Sequence, residues 1–259
     1  MNRRKFTTTV ASCLFAGSRG SAASAPAPII ELRRYYLVFG KQMDRMNEFL
    51  ANTYMPAARR AGIGPMGCFA SEIARDNPFV VCVASHPSLG AMETALAKMD
   101  GDQEYRKASE RFYSLPDLGH IRLESSLLRG FDAAPNITVP APDPKHPSRV
   151  FELRCYQSDS FTATRQKVHD FNENQIPMFR RLGIRSVFFG ETFVGGNMPN
   201  LTYMVMFDDI AARNKAWDVS FSDPEWTEKL SKTKAPDGGM LVAHYSNEIL
   251  SALPFSQIK

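Results

Sequence analysis

The chain has 259 residues, 44% of them hydrophobic, which is enough for one large domain or two small ones with genuine cores. Its formal charge of +4 is local: Arg3, Arg4, Lys5 and Arg19 precede Pro26, and the rest carries 27 basic and 27 acidic residues. A neutral body offers no field to gather nucleic acid or an anionic membrane, so nucleic acid is not an expected partner.

The first 25 residues read as a signal peptide. A basic start, Met1-Asn-Arg-Arg-Lys-Phe6, precedes the modestly apolar run Thr7–Gly17 and the small residues Ser21-Ala-Ala-Ser-Ala25. Paired Arg3-Arg4 and weak hydrophobicity favour the twin-arginine route, which gives a periplasmic or secreted protein. No later segment is apolar over the roughly 18 residues that a membrane span needs. Outside this leader the cysteines are Cys68, Cys82 and Cys155, an odd number without metal-ligand spacing. No metal-binding or cofactor-binding residue is assigned, and no cofactor is expected.

The remainder repeats itself. Ile30-Glu-Leu-Arg-Arg-Tyr35 recurs as Phe151-Glu-Leu-Arg-Cys-Tyr156, and Pro56-Ala-Ala-Arg-Arg-Ala-Gly-Ile63 as Pro177-Met-Phe-Arg-Arg-Leu-Gly-Ile184. The same register superposes Pro78 on Pro199 and Asp102-Gln-Glu104 on Asp223-Pro-Glu225. Each copy opens with an alternating strand, near 29–38 and 149–157. An amphipathic helix follows, near 41–61 and 161–182, ending at Gly62 or Gly183. Strands are then expected from Ile63 and Ile184 and over 79–84 and 201–207. A second helical region lies at 88–113 and 209–233, and a last strand near 119–130 and 239–250. The Pro-rich stretch 133–148 reads as a stiff linker between a first unit, 26–132, and a second, 149–259. Strand–helix–strand–strand–helix–strand is the ferredoxin-like unit, whose sheet has one uncovered face. The expected fold class is therefore α+β: two tandem ferredoxin-like βαββαβ units whose sheets close an intramolecular α/β barrel.

With the Glu-Leu-Arg-x-Tyr strands, the Pro-x-x-Arg-Arg-x-Gly-Ile helix ends and the Trp217–Trp226 segment in view, the chain resembles the NIPSNAP family of the dimeric α/β barrel superfamily. The resemblance covers nearly everything after residue 29 and is closer in Phe151–Leu250. It implies the barrel fold and, by analogy with related barrels, cofactor-independent monooxygenase-like or isomerase-like chemistry if the protein is an enzyme.

Alternation places Glu31, Arg33 and Tyr35 on one strand face and Glu152, Arg154 and Tyr156 on the matching face of the second copy. If Leu32 and Leu153 pack under helices, these triplets point into the barrel, where a carboxylate, a guanidinium and a phenol can move protons and hold an anion. Glu152, Arg154, Tyr156 and His244 are the catalytic candidates; Glu31, Arg33, Tyr35 and Trp217 are the binding candidates. The competing reading of the triplets is a buried ion pair with a hydrogen-bonded tyrosine that stabilises the sheet. Arg59-Arg60 and Arg180-Arg181 either complement helix dipoles or bind an anion. Positions where the copies differ can mark a single pocket: Arg34 matches Cys155, His86 matches Phe207, and Leu123 matches His244. The functional expectation is a barrel that binds or transforms a small apolar or aromatic molecule. Its alternative is a non-catalytic scaffold or protein-interaction module, and a homo-oligomer is left open.

Overall fold

The computed structural model describes residues 28–141, 149–232, 238 and 240–259. The expected leader and residues 142–148 of the linker lie outside the described residues. The first unit runs β1 (Ile29–Tyr36), α1 (Lys41–Phe49), α2 (Met55–Ala61), β2 (Met66–Ile73), β3 (Phe79–His86), α3 (Leu89–Gly101), α4 (Gln103–Tyr113) and β4 (Arg122–Gly130). The second repeats that order as β5 (Val150–Gln157), α5 (Phe161–Asp170), α6 (Ile176–Arg181), β6 (Arg185–Val194), β7 (Asn200–Phe207), α7 (Ile210–Ser222), α8 (Pro224–Lys232) and β8 (His244–Ala252).

Each expected long first helix is interrupted at the same point by a π turn, Leu50–Tyr54 or Phe171–Gln175. Pro56 and Pro177 follow at once, at the starts of α2 and α6. Proline donates no backbone hydrogen bond and crowds the carbonyl four residues back, and the wider turn accommodates both defects.

Each second helical region is two helices rather than one. The break falls at Asp102 or Asp223, whose carboxylate accepts the backbone N–H of Tyr105 or Trp226 at 3.0 Å. Arg60 and Arg181 reach across to these same carboxylates at 2.6–3.0 Å. The recurring arginines therefore hold the recurring caps.

All eight strands pair antiparallel in one closed barrel, β1-β3-β2-β8-β5-β7-β6-β4. Each unit supplies four adjacent strands, and the seams are β2 with β8 and β4 with β6. Closure leaves no sheet edge unpaired among the described residues. In the ladders Tyr36 lies beside Arg122, whereas Gln157 lies beside His244. His244 thus corresponds to Arg122, and Leu123 to Tyr245. The Leu123–His244 match expected from the constant register is corrected by one residue, because the segments before β4 and β8 differ in length.

The lumen is packed by side chains of both units, among them Ile30, Phe69, Phe79, Val81, Phe151 and Leu153. A separate core lies between each half-sheet and its helices. Leu32 and Leu153 therefore face the lumen, and the Glu-x-Arg-x-Tyr triplets face the helices, the reverse of the orientation expected above. The lumen must be filled from all eight strands, and aliphatic side chains do this best. The triplets find their partners on the helix side.

The barrel end at which β1, β2, β5 and β6 begin is plugged. Ile258, fully buried, and Ile137, nearly so, both join the lumen cluster. The C-terminal tail is fixed there: Gln257 N–H donates to the Met66 carbonyl at 3.2 Å, and Cys68 N–H to Ser256 Oγ at 3.1 Å. Thr138 N–H donates to the Val187 carbonyl at 2.8 Å, so this part of the Pro-rich stretch packs across the barrel end. No helix among the described residues is long and apolar enough to cross a membrane.

Candidate functional site

The opposite end of the barrel is open and holds a cavity of about 590 Å³. Its floor is apolar, made by Leu32, Val81 and Leu153, where the packed lumen stops. Its rim is formed by the turns between β2 and β3 (Arg75, Asp76) and between β6 and β7 (Gly195–Asn197). The cavity exists because the lumen-facing rows change character along each strand. On β1 the row reads Ile30, Leu32, Arg34, Tyr36, from sealed to open end.

Arg34 crosses to Glu248 on β8, which lies beside Leu153 of the floor. Nη1 and Nη2 donate to the two carboxylate oxygens at 2.7 and 2.6 Å, and the side chains are 21% and 11% exposed. The guanidinium stacks on the Phe79 ring, 4.2 Å from its centroid. Burial works against the charge on Arg34, but the hydrogen bonds and charge of Glu248 outweigh it and hold the guanidinium above its ordinary pKa. Nearer the rim Tyr36 OH donates to Glu124 at 3.0 Å, and Arg122 lies 3.8 Å over the Tyr36 ring.

Apart from Glu248, the described residues of the wall from the second unit are uncharged. Thr192 and Thr202 donate to Asn200 Oδ1 at 2.7 and 3.3 Å, and Asn200 Nδ2 donates to the Gly196 carbonyl at 3.0 Å. Cys155 lies beside Thr202. Burial pushes its thiol pKa up, the charge on Glu248 adds to this, and the Thr202 hydrogen bond opposes it. The thiol therefore stays protonated near neutral pH and is a poor nucleophile.

The cavity breaks the near-symmetry of the barrel. Arg34 corresponds to Cys155. In the ladders Leu32 lies beside Ser126 and Leu153 beside Glu248, so Glu248 corresponds to Ser126. The counterpart of the Arg34–Glu248 pair is a thiol and a hydroxyl, so the ionic pair is not repeated at the corresponding positions.

The residues singled out from sequence lie elsewhere. Glu152, fully buried, accepts from Arg154 (2.6 Å), Arg213 (2.8 Å to each oxygen), Trp217 Nε1 (2.7 Å) and Asn247 (3.2 Å). Arg154 also donates to Tyr156 OH at 3.1 Å, and Tyr203 OH donates to the same oxygen at 3.0 Å. The structure thus brings Glu152, Arg154, Tyr156 and Trp217 together, in a densely hydrogen-bonded cluster between sheet and α7. In the first unit Glu31 is bound by Arg33, by His86 at 3.1 Å and by Ser125 at 3.2 Å, while buried Tyr35 joins the core under the helices. His244 is exposed at the start of β8. None of the eight lines the cavity. Of the residues that do, Glu248, Asn200, Thr192 and Thr202 were missed from sequence. The Arg34–Cys155 mismatch was the one signal pointing there. Among the described residues no cluster of three or more His, Cys, Asp or Glu is placed to hold a metal ion.

A closed antiparallel eight-stranded sheet, built from two ferredoxin-like halves with helices outside and a cavity at one end, is an α/β barrel made within one chain. The family model described as NIPSNAP matches residues 151–257, within the second unit. A provisionally named monooxygenase from Fusobacterium nucleatum is 12% identical, with a TM-score of 0.57, covering 88% of this chain and 93% of its own. Another such protein from Lactobacillus acidophilus is 13% identical, with a TM-score of 0.54 and coverage of 87% and 94%. An anthrone oxidase-like protein is 8% identical, with a TM-score of 0.53 and coverage of 88% and 92%. At these identities the likeness is one of fold, and it extends over both units. No curated protein sequence matches the chain.

Proposed function

We propose that the protein binds a small molecule with an aromatic or other apolar body in the open end of the barrel, without a tightly held cofactor. The observation that carries this is the cavity itself, about 590 Å³, with an apolar floor and a few convergent polar groups. A barrel that served only as a scaffold would be expected to be filled at both ends, as this one is at its sealed end. The body of the ligand rests on Leu32, Val81 and Leu153, and its polar end meets the hydroxyls, amide and guanidinium above them. If the site is catalytic, the names of the structural relatives make oxidation of an aromatic compound by dioxygen the first reaction to assay; this is an argument from fold alone.

Screening purified protein against small aromatic compounds by thermal denaturation tests the reading. Compounds that raise the melting temperature should compete with one another for one site. A set of stabilising compounds that bind without mutual competition, or no stabilisation by any, would count against it. The leader with Arg3-Arg4 supports an exported setting for this activity, and fractionation of cells expressing the full chain and an Arg3→Lys/Arg4→Lys variant tests that.

A further inference from the structure

We infer that the cavity selects uncharged ligands, and that the Arg34–Glu248 pair is the residue pair that rejects ions. This deepens the binding reading above and rests on it. Among the described residues six charged side chains line the cavity: Arg34, Arg75, Arg122, Asp76, Glu124 and Glu248. Their charges cancel, and each is paired inside the lining itself. Arg75 lies 3.6 Å from Asp76, Arg122 lies 2.8 Å from Glu124, and Arg34 lies 2.6 Å from Glu248.

The three pairs differ in depth, and depth decides their effect. Arg75–Asp76 and Arg122–Glu124 sit at the rim, with side chains half exposed or more, where water screens them. Arg34–Glu248 is mostly buried and stands immediately above the apolar floor. A ligand whose body reaches that floor carries its polar end to the level of this pair.

An anion at that level meets Arg34 as its cation; at the guanidinium's outer N–H groups it is repelled by the adjacent Glu248 carboxylate, and to take the paired ones it must displace that carboxylate. That would leave a buried carboxylate without its partner, which is strongly unfavourable. A cation competing for Glu248 would strand Arg34 in the same way. An uncharged hydroxyl, carbonyl or amide disturbs neither. It can exchange hydrogen bonds with Thr202, Asn200, Ser126 or the outer edge of the pair. The ligand class is therefore a neutral aromatic or alicyclic compound with one or two such groups.

Three probes of one shape test this: 2-naphthol, 2-naphthoate and 2-(aminomethyl)naphthalene, titrated calorimetrically near pH 7.5 into the wild-type protein, Glu248→Gln, Arg34→Gln and the double variant. The wild type should bind 2-naphthol about tenfold or more tightly than either ion. Glu248→Gln frees Arg34 and should turn the preference to 2-naphthoate; Arg34→Gln frees Glu248 and should turn it to the amine. The double variant should bind 2-naphthol and lose discrimination among the three. Wild-type affinity for either ion equal to that for 2-naphthol would overturn the inference while leaving the cavity reading intact. So would an unchanged ranking in a folded Glu248→Gln protein. Should a single variant fail to fold, the wild-type ranking alone decides. Absence of binding by all three probes to the wild type would overturn the cavity reading, and the inference with it.

Discussion

Arg34 and Glu248 are 214 positions apart in the chain and meet across the barrel through two parallel hydrogen bonds of 2.7 and 2.6 Å. Arg34 belongs to the first unit and Glu248 to the second, so the contact exists only when the two half-sheets have closed. A double-mutant cycle of Arg34→Ala and Glu248→Ala, measured by urea unfolding, should show favourable coupling. Each single substitution should cost about 3 kcal/mol, because each strands a mostly buried charge. Coupling at the level of a surface pair, under about 1 kcal/mol, would mean that water reaches the pair freely.

Glu152 is held by four side chains, two of them arginines. Glu152→Ala would leave Arg154 and Arg213 without their carboxylate and should cost about 3–5 kcal/mol in unfolding free energy. Trp217 loses its hydrogen-bond acceptor in the same variant, so its fluorescence emission should shift in the folded protein. Unchanged emission with unchanged stability would contradict the cluster's role.

Acid should weaken the fold through the same cluster. Burial pulls the Glu152 carboxyl pKa up, but the Arg213 hydrogen bonds, the Arg154 charge and the Trp217 N–H outweigh it and leave it lowered from 4.5. Glu31 is lowered in the same way, with His86 and Arg33 opposing burial. A carboxylate with a depressed folded-state pKa gives stability that is present above its unfolded value and lost as pH falls through the folded one. Urea midpoints should therefore drop below about pH 4.5, and Glu152→Gln, though less stable throughout, should show a shallower drop. A variant that falls as steeply as the wild type would remove Glu152 from the acid limb.

The sealed end of the barrel depends on residues from the chain's last segment. Ile258→Ala should cost about 2–5 kcal/mol, the range for emptying a core site that cannot collapse. Gly130 is a second test of this end, since a Cβ there would sit 2.1 Å from the Pro135 carbonyl oxygen. Gly130→Ala must displace backbone and should cost about 1–3 kcal/mol in thermal or urea unfolding. Wild-type stability in both variants would mean that the plug is not part of the cooperative fold.

Much of the barrel was legible because its elements recur. The strand Glu-Leu-Arg-x-Tyr, the Pro that follows each π turn, and the Arg60–Asp102 and Arg181–Asp223 staples all serve local geometry, which both units need. The lumen face was not legible. A closed sheet covered by helices is buried on both sides, so alternation sorts Leu32 from Arg33 without saying which points inward. The site was hidden for a related reason. Glu248 lies where the constant register has slipped by one residue, and its partner Arg34 stands next to the more conspicuous Arg33. What sequence did offer was the difference between Arg34 and Cys155, and the asymmetry of the cavity is built on that difference.

Cys155→Trp tests most directly whether the open end of the barrel is the binding site. Cys155 lines the cavity from the uncharged wall, outside the packed lumen cluster, so an indole there fills the space with little disturbance of the core. Calorimetric titration of 2-naphthol into the wild type should give saturable one-site binding. The Cys155→Trp protein, folded by its melting transition, should show none. Equal affinity in the two proteins would contradict the account.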